Sequence, residues 1–148
     1  MIKSSFSVKL SLILTFAIGI CLIILCAAFP FLVNWYYSEI RGMAELVPTL
    51  LAAFYLCVPP VAAAVVLFAR LLFSIKSMEV FNRKNVARIR GISWCCLLVA
   101  AVTLICGFVY PPLFIVFAAG VFMGIILRVV KNVFEYAVDI KSENELTI

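Results

Sequence analysis

Four long apolar runs, separated by two polar intervals and one Tyr-Pro-Pro turn, set the pattern of this chain. Residues 10–33 carry no charge, residues 47–72 carry only Arg70, and residues 92–109 again carry none. The fourth run, 113–130, meets its first charge at Arg128. A bilayer core of ~30 Å is crossed by ~20 helical residues, so each run predicts a membrane span. A cleaved leader is a poor reading of the first run. It is too long, and Ala27 and Ala28 lead into Phe29-Pro30 rather than an A-x-A site.

The longest polar interval, 74–93, holds Lys76, Arg83, Lys84, Arg88 and Arg90. Asn82 suits a helix N-cap, with Asn85 at N3, and Phe81 and Val86 can form a hydrophobic staple across it. The third helix should therefore begin near Arg83, before the bilayer. Val86, Ile89 and Ser93 then share one face. The other polar interval, 34–46, reads as a solvated loop after an aromatic belt of Trp35, Tyr36 and Tyr37. Two consecutive prolines at 111 and 112 resist helix and predict a tight turn, so the third and fourth spans form an antiparallel hairpin.

Beyond Arg128, apolar residues recur at helical spacing: Val130, Val133, Phe134, Ala137 and Val138. Lys131, Glu135 and Asp139 fall opposite. This predicts an extension of the fourth helix, ended by Ser142 to Asn144, within a tail of residues 131–148. Inside the spans, Pro59 and Pro60 predict a kink or hinge. Gly120 and Gly124 form a G-x-x-x-G pair that lets another helix approach closely. The fold class is thus an all-α membrane protein: four antiparallel transmembrane helices in one integral membrane domain, with cytoplasmic helix extensions.

Composition agrees. The chain of 148 residues is 67% hydrophobic and 13% charged, against about half and a quarter in a soluble domain. The net charge of +5 does not argue for direct nucleic-acid binding, because the basic residues flank the spans. Arg41 stands alone on one side. The other eleven Lys and Arg, from Lys3 to Lys141, fall on the side of the 74–93 interval and both termini. The positive-inside bias then places that side in the cytoplasm.

All six cysteines lie in apolar runs, no C-x-x-C pair occurs and histidine is absent. Packing explains the thiols better than metal, and the usual general base is missing. No catalytic residue, metal or cofactor is expected.

Two stretches together resemble a known family. One is Val80-Phe81-Asn82-Arg83-Lys84-Asn85-Val86-Ala87-Arg88-Ile89-Arg90. The other is Phe134 and Ala137 followed by Glu143-Asn144-Glu145-Leu146-Thr147-Ile148. The pair resembles the bacterial domain of unknown function 2975, small four-span membrane proteins with a V-F…N-V inner loop and an E-N-D/E-L-T-I ending. Met78 departs from the glycine usual before Glu79 in that family. The resemblance implies no established activity. It implies a small helix-turn-helix transcription regulator as a neighbouring partner.

The expected role is therefore non-enzymatic: an anchor or sensor in the bacterial inner membrane, with a cytoplasmic loop and tail that bind a partner. The candidate partner-binding residues are Arg83, Lys84, Arg88 and Arg90 with Glu143, Asn144, Glu145, Leu146, Thr147 and Ile148. The opposite signs of loop and tail predict that they dock on each other. The alternative is a small transporter, channel or immunity-type protein within the bilayer, as a homo-oligomer. Span centres without ionisable residues weaken that reading.

Overall fold

A computed structural model describes residues 2–147. Four long helices form: α1 (Ile2–Asn34), α2 (Val47–Lys76), α3 (Arg83–Gly107) and α4 (Leu113–Leu146). They run alternately up and down. Each packs chiefly on its neighbour in sequence, α1 on α2, α2 on α3 and α3 on α4. All four carry windows long and apolar enough to cross a membrane, and their outward faces are crowded with exposed Ile, Leu, Phe and Val. The protein is an all-α, multi-pass membrane protein. Of the four windows, that of α3 is 33% buried, against 11% or less for the others. Both α2 and α3 are flanked on two sides, and α3 is the structural centre.

Helix ends extend past the predicted spans. α1 begins at Ile2 rather than near residue 10, and at 33 residues it is roughly 50 Å long, well over a ~30 Å core. α4 does not stop at Ser142 to Asn144. It continues as one helix to Leu146, because Thr147 closes it by bonding back to the Glu143 carbonyl through both its amide and its hydroxyl. The expected loop at 34–46 is also partly helical. α1 passes into a π-helical turn, Trp35–Ile40, closed by Arg41 N–H to the Tyr36 carbonyl at 3.1 Å. Gly42, at φ 65°, then reverses the chain, and a 3-10 turn at Ala44–Leu46 leads into α2.

The two ends of the bundle differ. At the end with the Tyr-Pro-Pro turn, Val33, Val47 and Leu50 form a small core covered by Phe29, Tyr37 and Tyr110. The Tyr37 and Tyr110 hydroxyls meet at 2.6 Å and join the first connection to the α3–α4 turn. That bond, with burial behind it, pushes the Tyr37 phenol up to about 12. At the other end lie the α2–α3 connection and the extension of α4.

Prolines inside helices free carbonyls four residues back. Pro30 in α1 deprives the Cys26 carbonyl of its partner, and Tyr55 of α2 donates its hydroxyl there at 3.0 Å. A side chain of the neighbouring helix replaces the lost bond. Phe29 stacks on Phe54 beside it, centroids 3.9 Å apart. Pro59 and Pro60 sit within an α2 that runs unbroken from Val47 to Lys76.

Candidate functional site

The α2–α3 connection is built by two capping devices. At the end of α2, Glu79 N–H bonds to the Ser74 carbonyl and Met78 N–H to the Ile75 carbonyl, the pattern of a Schellman motif. The motif demands a left-handed residue at its penultimate position, and Met78 takes it at φ 67°. A glycine would adopt that conformation without strain. The methionine therefore costs the fold something that a glycine would not.

The start of α3 follows the sequence reading. Asn82 is extended, and its side chain accepts from Asn85 N–H at 2.8 Å. Phe81, however, turns to Phe134 of α4, with ring centroids 5.5 Å apart.

Asn85 is the hub of this end, and the sequence pattern marked it only as a cap position. It is fully buried. Its amide nitrogen faces Ser74 Oγ, the Glu79 carbonyl and the Val80 carbonyl at 2.9–3.0 Å. Its oxygen accepts from Arg88 Nη1 at 2.7 Å. The same Arg88 nitrogen donates to the Arg70 carbonyl near the end of α2 at 3.1 Å. One buried side chain thus ties α2, the connection and α3 together. A fully satisfied polar network of this kind rigidifies its surroundings.

The extension of α4 lies beside this connection. Arg83 Nη2 meets Asp139 Oδ1 at 2.8 Å. Phe134 and Ala137 turn inward and Val138 is buried, but Val133 is 61% exposed, so the apolar stripe is narrower than its periodicity suggested. Lys131 reaches Glu135 at 3.1 Å and holds that carboxyl below its usual range. Between Phe81 and the last turns of α4 lies a groove of about 380 Å³, walled by Ala137, Ile140, Lys141 and Asn144.

The candidate residues fall into three groups. Arg83 is paired with α4, and Arg88 is drawn into the Asn85 network. Lys84 and Arg90 are exposed, and no described carboxylate pairs with either. Glu143, Asn144, Glu145 and Leu146 form the exposed last turn of α4, followed by Thr147, while Ile148 lies outside the described residues. Arg128, at the end of the fourth apolar run, sits over the Trp94 ring at 5.0 Å.

Within the apolar region, Gly120 and Gly124 face α3 of the same chain. A Cβ at Gly120 would lie 3.1 Å from Ala100 Cβ and 3.2 Å from the Cys96 carbonyl oxygen. One at Gly124 would lie 2.9 Å from Leu97 Cδ2. Ser93 is buried there and donates to the Gly124 carbonyl at 2.9 Å. Pro60 lines an apolar cavity of about 410 Å³ to which all four helices contribute, among them Thr15, Cys95, Cys96 and Gly120. The Thr15 hydroxyl is already bonded to the Ser11 carbonyl. The cavity wall contains no ionisable side chain other than its thiols.

A family profile described as protein of unknown function (DUF2975) matches residues 8–148. The chain belongs to that family. No curated protein and no solved structure matches it.

Proposed function

We propose that this DUF2975 protein is a non-enzymatic membrane anchor or sensor that presents the α2–α3 connection and the α4 extension as one cytoplasmic surface to a protein partner. The observation that carries this reading is the direct joining of the two segments, through Phe81 on Phe134 and Arg83 on Asp139. A rigid composite surface with exposed Lys84, Arg90, Glu143 and Glu145 fits recognition by a folded partner. The family resemblance suggests a small helix-turn-helix regulator. Eleven of the twelve Lys and Arg lie toward this end of the chain's topology, and the positive-inside bias supports a cytoplasmic position for it and both termini at a bacterial inner membrane. Direct nucleic-acid binding has no part in this reading. The apolar cavity speaks against ion passage through a single chain.

Two measurements test the proposal. A cysteine replacing Arg41, in a background without native cysteines, should react with an impermeant reagent from outside, and one replacing Lys84 should not. The reverse pattern defeats the orientation. The full chain, co-expressed with a small helix-turn-helix regulator of the kind the resemblance implies, should co-purify in mild detergent, and Phe134→Ala with Asp139→Arg should abolish the complex while the protein stays folded. Solute flux by the pure protein in liposomes, without such a complex, would favour the transport reading and a homo-oligomeric assembly.

A further inference from the structure

The connection end carries a second feature, lined by no residue of α4. A polar pocket of about 440 Å³ opens between the end of α2 and the first turns of α3, and Arg70, Lys84 and Arg88 line it together. Arg70 belongs to the apolar run of α2, one turn inside its end, so its head must reach out to the membrane interface. The pocket therefore sits at headgroup depth.

The neutral groups of its wall are already committed. Ser77 Oγ donates to the Ser74 carbonyl, and Asn82 serves as the cap of α3. Arg88 is fixed through one nitrogen, Nη1, by Asn85 Oδ1 and the Arg70 carbonyl. Its remaining donors have no described protein partner. Neither Arg70 nor Lys84 pairs with a described carboxylate. Glu79 also lines the pocket, and its carbonyl is held by Ser74 and Asn85. Three cations against one carboxylate leave a net charge of about +2 at an open, polar-walled site.

We infer that this pocket binds a phosphate group, with Arg88 as the pre-oriented donor and Arg70 and Lys84 as flanking charges. An arginine held by a buried amide loses little freedom on binding, and guanidinium geometry matches phosphate oxygens. Two sources share this chemistry: the headgroup of an anionic phospholipid and free phosphate. A basic pocket between helices at the interface is the usual form of a lipid headgroup site. The assignment does not depend on a protein partner. It needs only the interfacial depth set by Arg70.

The test is native mass spectrometry of the full chain in detergent, titrated with phosphatidylglycerol and, in parallel, with phosphatidylcholine. The first phosphatidylglycerol should bind at least about tenfold more tightly than phosphatidylcholine. Each interfacial cation contributes about fivefold to binding an anionic lipid, so Arg70→Gln with Lys84→Gln should weaken it about 25-fold. Lys84→Gln alone, an exposed change, should weaken it about fivefold. Arg83→Gln, which breaks the pair to Asp139, should leave it within twofold. Displacement of the lipid by millimolar inorganic phosphate would identify free phosphate as an occupant. Resistance to it would identify the headgroup. Equal binding of the two lipids, or unchanged affinity in the double variant, would overturn the assignment.

Discussion

The α3–α4 hairpin and α1 are both apolar enough to cross a membrane, yet they are held in opposite ways. Along α3 and α4 the contact is a seam of small residues. Gly120 lies against Ala100 and the Cys96 carbonyl, and Ser93 bonds to the Gly124 carbonyl. Among its described residues α1 has no such seam: its one glycine, Gly19, meets only Val65 at an ordinary distance. It rests chiefly on α2, through Phe29 on Phe54 and the bond from Tyr55 to the Cys26 carbonyl. In lipid, apolar surface gives no drive for helices to associate, so close backbone approach and buried polar bonds decide which pairs are firm. Hydropathy alone ranks α1 first among the spans, with a window mean of 2.9 against 2.1 for α3. The ranking of attachment is the reverse.

The sharpest way to break the contrast is to fill the seam. Gly120→Leu places a side chain against α3 backbone that cannot move aside, and equilibrium unfolding in mixed micelles should show a loss of about 3 kcal/mol. A loss under about 0.5 kcal/mol would mean that the seam does not hold the hairpin. The connection between the halves should respond in the other direction. Met78→Gly relieves the left-handed strain and should stabilise the protein by about 1 kcal/mol in the same assay. No gain there would mean that Met78 is compensated by contacts of its own side chain.

The α1 attachment should give smaller effects. Phe29→Ala removes the stacked ring and should cost about 1 kcal/mol. Cysteine probes on α1 should become more reactive while probes in the α3–α4 seam stay protected. Tyr55→Phe should cost about 0.6 kcal/mol, the usual size of one interhelical bond in lipid. The carbonyl it leaves unpaired should appear as a shifted amide band on isotope labelling at Cys26.

The smallest effect is a pH dependence at the turn end. The hydrogen bond to Tyr110, with burial, pushes the Tyr37 phenol up to about 12 in the folded protein, above its ordinary value of about 10. The unfolded chain gives up that proton first. The stability from the Tyr37–Tyr110 bond is therefore full below pH 10 and fades as pH rises through about 12. Tyr37→Phe should remove this pH dependence. Absorbance at 295 nm near pH 11 should show one tyrosine in the wild type that ionises late.

Much of the candidate site was legible in the chain. The Asn82 cap, the start of α3 at Arg83 and the helical continuation past Arg128 follow from residue types at fixed local spacing, and the structure places all three as that spacing predicts. The role of Asn85 was not legible. A cap position and a buried hub carry the same residue letter, and only the folding back of residues 74–80 brings its three acceptors together. The stripe on α4 was read too wide, since periodicity marks a face but not how much of it a neighbour covers. Val130 and Val133 are apolar yet exposed.

The sequence by itself determined the number of spans, their antiparallel order and the segregation of basic residues. Those depend on run length and local charge, which the bilayer reads directly. Which helices touch closely was decided only in three dimensions. Gly120 and Gly124 could have faced lipid, a second chain or α3, and Pro30 could have left its carbonyl unpaired. The tertiary structure settles these by placing Ala100, Ser93 and Tyr55 opposite them. Contacts between distant segments depend on helix rotation, and in a chain apolar on nearly every face hydropathy cannot fix that rotation.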